Sequence, residues 1–296
     1  MFFFNKYKYE LLNHHILNLT KKINISFEFF PPKNIDMQNK FWDSINQLKK
    51  LNPNFFSITY GANNSDCNQI LDIVTQVNQV TNIEVAPHLT CINHNLIELE
   101  EIAKKYWSAG IKHIVALRGD TLNISKKVIM YASDLVKFLK KIANFNISVA
   151  AYPEVHPEAI NEKSDLIYLK KKIDEGANQA ITQFFFSTDK FLYFRDKCIA
   201  NGITVEIIPG ILPIVNFNQI HRFAKMTNVH IPKWIYKIFE NVEKNSITSM
   251  MIGYKIAMDM IQSLYYEGVT SFHFYTLNCS KLSYAICRLL SNTSNE

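Results

Sequence analysis

The chain has 296 residues, 48% of them hydrophobic and 20% charged, and this length fits one large α/β barrel or two small domains. Lysine and arginine outnumber aspartate and glutamate by 32 to 26, but they are spread along the chain, so we expect small anionic ligands and no nucleic-acid partner. The five cysteines are widely spaced without a CxxC pair, which argues against disulfides and a zinc site and for a reducing compartment.

The first predicted element is an amphipathic helix over residues 7–19, where apolar side chains recur at helical spacing. The preceding Phe2-Phe3-Phe4 is too short for the core of a signal peptide, and charged residues follow it at once. The longest apolar helical stretch, residues 247–266, carries Lys255 and Asp259, so it is no membrane span. We therefore expect a cytoplasmic protein without a membrane partner.

After this helix, short β-branched or aromatic runs alternate with longer amphipathic segments. The predicted strands are residues 25–30, 55–60, 83–90, 113–117, 147–151, 180–185, 204–208 and 271–275. The predicted helices between them include residues 36–51, 66–80, 96–109, 128–143 and 165–175. Strand-then-helix repetition indicates parallel strands with crossover helices, and roughly eight such units favour a closed (β/α)₈ barrel.

One stretch interrupts this rhythm before the last strand. Residues 229–248 contain Pro232 and Trp234, and we interpret them as an insertion of extra helices. The chain has no Gly/Ser/Pro linker, no low-complexity tract and no repeat beyond the strand–helix unit. We therefore expect residues 1–296 to form a single catalytic barrel domain.

Chemically capable side chains concentrate where the predicted strands end. In barrels of this type the active site is built at the carboxyl ends of the strands. The residues found at these positions are Glu28, Thr59, Tyr60, His88, Arg118, Asp120, Tyr152, Glu154, His156, Thr182 and Gln183. One end of the barrel is therefore predicted to be a catalytic rim.

Three of these features have alternative interpretations. Arg118-Gly119-Asp120 is either a plain turn or a place where the backbone approaches a cofactor. Glu28 lies between phenylalanines, either at the strand's edge in solvent or pointing inward. In the inward case, apolar surroundings would raise its pKa and make it a usable proton donor near neutrality. His88 is equally a core histidine or a ligand contact.

The run Lys170-Lys171-Lys172 is sorted by helix geometry. The buried stripe of its helix leaves Lys171 facing solvent, and we interpret Lys170 in the same way. Lys172 lies near the edge of that stripe, beside Asp165 one heptad earlier. These two side chains are placed to reach over the barrel mouth.

Several common site motifs are absent from the sequence. Without G-x-G-x-x-G or G-x-x-x-x-G-K-[ST], any dinucleotide is not held by a Rossmann or P-loop glycine turn. The sequence also lacks H-E-x-x-H, a paired His/Cys cluster and G-x-S-x-G, so metal hydrolysis and acyl-serine chemistry lose support and we expect no metal site.

Seven segments resemble methylenetetrahydrofolate reductase, in order, from about residue 26 to residue 288. They are Phe27-Glu28-Phe29-Phe30-Pro31-Pro32, Thr59-Tyr60-Gly61-Ala62, Pro87-His88-Leu89-Thr90-Cys91, Ala116-Leu117-Arg118-Gly119-Asp120, Ala151-Tyr152-Pro153-Glu154-Val155-His156-Pro157, Gly176-Ala177-Asn178 with Ile181-Thr182-Gln183-Phe184-Phe185, and Phe274-Tyr275-Thr276-Leu277-Asn278. Each segment alone is a weak signal, but together they cover nearly every predicted strand.

The resemblance implies a (β/α)₈ barrel that uses FAD and NADH or NADPH to reduce 5,10-methylenetetrahydrofolate to 5-methyltetrahydrofolate. The family works by ping-pong hydride transfer through the flavin and supplies methyl groups for methionine synthesis. The catalytic residues that it implies are Glu28, as the general acid that protonates N10 of the folate, and Asp120, close to both flavin and pterin. The FAD contacts it implies are Thr59, Tyr60, Ala62, His88, Leu117, Arg118, Gly119, Asp120, Tyr131, Ala132, Tyr152, His156, Ala159, Asp165 and Lys172. The substrate contacts it implies are Asp120, Gln183, Gln219, Phe223 and Cys279.

The sequence departs from the family pattern at Cys279, where bacterial relatives commonly carry arginine. This departure puts the usual anchor of the folate's carboxylate tail in question. The chain resembles the short bacterial form, for which the family implies NADH as reductant and a homotetramer. Control by S-adenosylmethionine is not expected of that form.

Three other functions remain as alternatives. Another FAD barrel, such as a proline-dehydrogenase-like oxidase, lacks the set of Glu28, Asp120 and Gln183. A flavin- or folate-binding protein without catalysis would fit the change at Cys279 but not the retention of Glu28. A flavin-free lyase that binds phosphate at the barrel rim would be colourless when pure.

Overall fold

Eight parallel strands form a closed barrel in the computed structural model, which describes residues 21–59, 67–92, 94–119, 130–244 and 246–292. The strands pair in chain order, and the last pairs with the first. They are β1 (Asn24–Phe29), β2 (Phe55–Ile58), β3 (Glu84–Thr90), β4 (His113–Leu117), β5 (Asn146–Ala151), β6 (Gln179–Phe184), β7 (Glu206–Ile211) and β8 (Ser271–Tyr275). The predicted (β/α)₈ architecture is confirmed.

The described residues contain ten α-helices and one 3₁₀ helix, Lys49–Leu51. The α-helices are α1 (Ile35–Leu48), α2 (Cys67–Thr81), α3 (Leu96–Ser108), α4 (Ala132–Ile142), α5 (Glu162–Asp174), α6 (Thr188–Ala200), α7 (Phe217–Thr227), α8 (Lys233–Phe239), α9 (Ile247–Tyr266) and α10 (Ser280–Asn292). Most begin after an asparagine or serine whose side chain accepts a first-turn N–H, as Asn34 does from Met37. The predicted helix over residues 7–19 lies outside the described residues.

The two faces of the barrel wall differ in composition. In β1, Phe27 and Phe29 face outward and join the large core between strands and helices. Ser26 and Glu28 face the interior, where Ser26 contacts a histidine of β8. The interior also contains a small apolar cluster consisting of Phe55, Ala86, Val115 and Ile181. Because strand side chains alternate between faces, the phenylalanines beside Glu28 in sequence are not its neighbours in space.

Strand β7 was predicted at residues 204–208 but is formed by Glu206–Ile211. The prediction stopped before Pro209 and Gly210, which usually interrupt strands. Here the Gly210 N–H donates to Thr182 Oγ1 at 2.9 Å. A Cβ at this glycine would lie 2.2 Å from the Thr182 carbonyl oxygen and 2.5 Å from Cε2 of Tyr275, so only glycine allows this close approach.

The predicted helical insertion before the last strand is confirmed, with one separate helix, α8, among its described residues. The long helix α9 follows it and packs closely on the chain after β7, because Gly253 lies against the backbone of Ile214. None of the described helices combines the length and hydropathy that crossing a membrane requires.

Candidate active site

Glu28 points into the carboxyl-end mouth of the barrel, between two histidines. Its side chain is 15% exposed, and its Oε2 lies 3.3 Å from Nε2 of His88 and 3.9 Å from Nε2 of His273. Burial alone would raise its pKa, but hydrogen bonds with His273 and His88 hold the pKa at about 2. The expected raised pKa was therefore wrong, because imidazoles and not phenyl rings surround the carboxyl group.

His273 on β8 is a site residue that the sequence prediction missed. It is 1% exposed, with Nδ1 2.7 Å from Ser26 Oγ and Nε2 3.4 Å from Ser57 Oγ. Burial lowers its pKa, and contact with Glu28 opposes that shift. The available signal was alternation in β8, which puts this histidine on the same face as Tyr275.

Tyr275 is a second site residue that the sequence prediction missed. It lies between the pair formed by Glu28 and His273 and the neighbouring strands. Its hydroxyl donates to the Thr182 carbonyl at 2.8 Å, and its ring meets the His273 ring edge-on at 5.4 Å. Burial raises its pKa well above the ordinary value, and the charges of Glu28 and Tyr152 add to this. The phenol therefore stays protonated as a hydrogen-bond donor.

A second group of charged side chains gathers at the ends of β4 and β5. Arg118 pairs with both carboxylate oxygens of Glu158, at 2.5 and 2.6 Å. The Glu158 N–H donates to His156 Nδ1 at 3.0 Å, and the His156 N–H donates to Asp165 Oδ2 at 2.9 Å. Lys172 donates to the Ala150 carbonyl. Burial lowers the pKa of Lys172 to about 8, with Asp165 opposing the shift.

Lys172 and Asp165 make these contacts near the end of β5, and their predicted reach over the barrel mouth stays a prediction. Lys171, by contrast, is 52% exposed and lies 3.7 Å from Asp134, as expected of a solvent-facing lysine. Glu158 is a further residue that the prediction missed, because nothing in its local sequence indicates that it meets Arg118, 40 positions away.

The other predicted FAD contacts that are described lie around this group. The Tyr152 ring meets the His156 ring edge-on at 4.5 Å. Gly119 has a φ of +92°, and a Cβ there would approach Ile92 Cγ2 to 2.8 Å. The remaining ones are Thr59 after β2, Leu117 at the end of β4, Tyr131 and Ala132 at the start of α4, and Ala159 in the turn after His156. Tyr60, Ala62 and Asp120 lie outside the described residues.

This donor set fits the diphosphate of a dinucleotide such as FAD. Arg118 and Lys172 supply positive charge close to His156, whose pKa responds to both of them. A guanidinium and a buried ammonium are the donors that hold phosphate oxygens most strongly, through charge-assisted hydrogen bonds. The Arg118 guanidinium is already paired with the carboxylate of Glu158 in this structure, so a bound phosphate would share this ion pair or replace Glu158 in it.

Two of the predicted substrate contacts line one cavity beside β8. Gln219 of α7 and Cys279 meet there with Tyr275 and Thr276. Phe223 lies one turn after Gln219, is partly buried and packs on the core, but is not among the described residues that line this cavity. Gln183 accepts the N–H of Phe184 with its side-chain oxygen at 3.0 Å. The structure therefore brings Gln219 and Cys279 together, and leaves Gln183 and Phe223 outside.

Comparisons with known proteins agree with this architecture over most of the chain. The sequence model of the methylenetetrahydrofolate reductase family matches residues 12–291. The chain is 54% identical to 5,10-methylenetetrahydrofolate reductase of Buchnera aphidicola subsp. Baizongia pistaciae, over 97% of each chain. It is 51% identical to that of Escherichia coli, over 98% of each chain. A Clostridium thermocellum protein solved with two copies of 5-methyl-5,6,7,8-tetrahydrofolic acid has a TM-score of 0.67 at 15% identity, covering 95% of this chain and 99% of that one, which shows a shared fold.

Proposed function

The chain belongs to the methylenetetrahydrofolate reductase family, and we propose that it reduces 5,10-methylenetetrahydrofolate to 5-methyltetrahydrofolate. We propose FAD as its bound cofactor and NADH or NADPH as the reductant. The observation that carries the proposal is Glu28, a carboxyl group held between His88 and His273 in the barrel mouth. This is a proton-donating centre at the end of the barrel where such enzymes bind their substrates.

The conversion needs one proton and one hydride. A proton delivered to N10 of the folate breaks the bond between N10 and the methylene carbon, which leaves an iminium at N5. Bound flavin would supply the hydride that turns this methylene carbon into a methyl group. Glu28 is the group that we assign to the proton, with a contribution of about 10²–10⁴-fold that is usual for a positioned acid.

A pKa of about 2 leaves Glu28 ionised near neutral pH in the unliganded protein, so the role that we assign requires this group of side chains to take up a proton when the substrate binds. A carboxylate beside an imidazolium carries as many protons as a carboxylic acid beside a neutral imidazole, and such a pair titrates as a unit. Burial lowers the pKa of His273, which favours moving the proton from imidazole to carboxyl when substrate excludes water. The histidines would thus pass the proton to Glu28, and Glu28 would deliver it to N10 of the folate.

The charged group at β4 and β5 supports the cofactor assignment. Arg118, His156 and Lys172 would hold the diphosphate, and Asp165 would keep the His156 loop in place through its hydrogen bond. Thr59, Tyr60, Ala62, Asp120 and the start of α4 remain proposed contacts of the same cofactor. Gln183, Gln219, Phe223 and Cys279 remain proposed substrate contacts.

We propose that nucleotide and folate alternate at one face of the flavin by a ping-pong mechanism. The position of both residue groups at the same end of the barrel supports a shared pocket. We also propose that residues 1–296 form one catalytic unit, that the protein is a cytoplasmic homotetramer, and that its product supplies methyl groups for methionine synthesis.

The visible spectrum of the purified protein tests the proposal in two stages. We expect a yellow protein that releases FAD on denaturation. Anaerobic NADH should bleach the flavin, and methylenetetrahydrofolate should restore its colour. A folded protein that neither contains nor takes up FAD would contradict the cofactor. Bleaching without reoxidation by the folate would contradict the substrate.

A further inference from the structure

The loop that follows β8 is hydrogen-bonded to the end of β1 through a side-chain amide. Asn278 Oδ1 accepts the N–H of Phe30 at 2.9 Å, and Asn278 Nδ2 donates to the Phe30 carbonyl at 2.9 Å. The last registered pair of these two strands is Glu28 with Tyr275. The carboxamide therefore makes the two bonds that a partner strand would make, two residues past Glu28.

Thr276, in the same loop, also holds this segment of β1. Its Oγ1 donates to the carbonyl of Glu28 at 2.6 Å and accepts the N–H of Asn278 at 3.1 Å. Thr276 is 4% exposed, so water does not compete for these bonds. The backbone of Glu28 is thus fixed at its own carbonyl by Thr276 and two residues later by Asn278.

The backbone of this loop is shaped to present the amide. Leu277 and Asn278 both have left-handed φ values, 50° and 56°. Asparagine tolerates this conformation better than other side-chain-bearing residues, whereas leucine is strained there. Ser44 of α1 donates to the Asn278 carbonyl at 3.0 Å, so α1 also secures the loop.

We propose that Asn278 is a positioning residue for the proton-donating Glu28. Its carboxamide clamps the Phe30 peptide and, with Thr276, sets the position from which the Glu28 carboxyl meets His88 and His273. This inference rests on the proposed function, because it gives Asn278 a role only in the half-reaction that Glu28 serves. A purely structural role would be limited to closing the barrel between β8 and β1.

Two variants separate the clamp from the conformation of the loop. Asn278→Gly keeps the left-handed backbone and removes the amide, and Asn278→Ala removes the amide and also disfavours that backbone. The matched control is Ser44→Ala, which removes a bond to the same loop but not the clamp. Each variant is assayed as the flavin-loaded full chain by stopped-flow measurement of both half-reactions.

We expect Asn278→Gly to slow flavin reoxidation by methylenetetrahydrofolate by roughly 10–10²-fold, the cost of misplacing a catalytic group by about 1 Å. Flavin reduction by NADH should stay within about twofold of its original rate, as should both rates in Ser44→Ala. Equal loss in both half-reactions would overturn the proposal. So would an Asn278→Gly rate equal to that of Ser44→Ala.

A second pair of variants covers the case in which Asn278 substitutions do not fold. Thr276→Val has nearly the same shape but lacks the hydroxyl that holds the Glu28 carbonyl, and Thr276→Ser restores a hydroxyl. We expect the valine variant to slow the folate half-reaction selectively and the serine variant to recover it. A valine variant with unchanged half-reactions would contradict the clamp.

Titration of Glu28 itself gives a measurement that does not depend on turnover. Glutamate labelled with carbon-13 at the side-chain carboxyl can report its pKa, with the Glu28 signal identified by its loss in Glu28→Gln. In Asn278→Gly the pKa should rise from about 2 towards the ordinary 4.5, because the contacts with the histidines loosen. An unchanged pKa would overturn the proposal even if the protein reduced no folate. A wild-type protein with no folate reduction but a shifted pKa in the variant would instead contradict the proposed function.

Discussion

Each end of the barrel carries a glutamate beside a histidine, and the two pairs differ in burial and in number of partners. At the carboxyl end, Glu28 is 15% exposed and lies near two imidazoles. At the amino end, Glu84 is 42% exposed, and its carboxylate lies 3.4 Å from Nδ1 of His113. This nitrogen atom has no hydrogen-bond partner within the described part of the chain. The distance from carboxylate to the nearest imidazole is thus similar in the two pairs. Only Glu28, however, is largely buried and lies near two imidazole rings. Burial and the number of partners, not distance, therefore distinguish the two carboxylates.

An apolar layer lies between the two mouths. The Phe55 ring lies between them, 5.7 Å from the His273 ring and 4.7 Å from the His113 ring. With Ala86, Val115 and Ile181 it forms an apolar layer across the interior. The charge of His113 still lowers the pKa of His273 across this layer, but Glu84 itself is 42% exposed and lies on the opposite side of it from Glu28, which makes Glu84 a matched control for Glu28.

The largest expected difference between the two carboxylates is in the rate of folate reduction. Glu28→Gln should slow flavin reoxidation by methylenetetrahydrofolate by ~10²–10⁴-fold, because the positioned acid is lost. Its reduction by NADH should be nearly intact, and Glu84→Gln should be within about twofold of wild type in both steps. Stopped-flow spectroscopy measures both steps. Equal damage to the two half-reactions in Glu28→Gln would show that Glu28 is structural.

The pH dependence of stability should also distinguish Glu28 from Glu84. The folded-state pKa of Glu28 is depressed from 4.5 to about 2, so the stability it contributes is present above pH 4.5 and is lost as the pH falls towards 2. This contribution is on the order of 3 kcal/mol, at about 1.36 kcal/mol for each pKa unit.

Chemical denaturation of the wild type and of Glu28→Gln at several pH values checks this expectation. The free energy of unfolding should fall less steeply between pH 4.5 and 2 in Glu28→Gln, and Glu84→Gln should follow the wild type more closely. Identical pH dependence in all three proteins would contradict the depressed pKa of Glu28.

The smallest of the expected effects concerns Cys279, which lines the cavity at the carboxyl-end mouth. Arginine at this position would supply charge-assisted hydrogen bonds to the folate's carboxylate tail. We expect Cys279→Arg to tighten folate binding by on the order of tenfold, which corresponds to about 1.4 kcal/mol. Titration with a non-reacting folate measures it.

Lys281 offers an alternative cation for the same tail, two residues further along. If it already compensates, Lys281→Ala should weaken folate binding and Cys279→Arg should change little. Unchanged affinity in both variants would show that this loop does not hold the tail.

The alternation of β-branched or aromatic runs with amphipathic helical segments was enough to predict the barrel and most of its strands. It could not orient Glu28, because Phe27 and Phe29 flank it in sequence whichever face it occupies. His273 was missed for a related reason, since its partners Ser26 and Ser57 lie on strands more than two hundred positions away. The predicted β7 ended before Pro209 and Gly210, and local propensity does not encode the close approach of Tyr275 that Gly210 allows.

The pairing of β8 with β1 has a consequence for how the protein is made. Glu28 emerges early from the ribosome, whereas His273, Thr276 and Asn278 emerge among the last residues, and their contacts span about 250 positions. Such non-local contacts form slowly and only after nearly the whole chain is available. A nascent or prematurely ended chain therefore contains Glu28 without the groups that contact it from β8 and the following loop. Acid chemistry would begin only once synthesis has delivered the eighth strand.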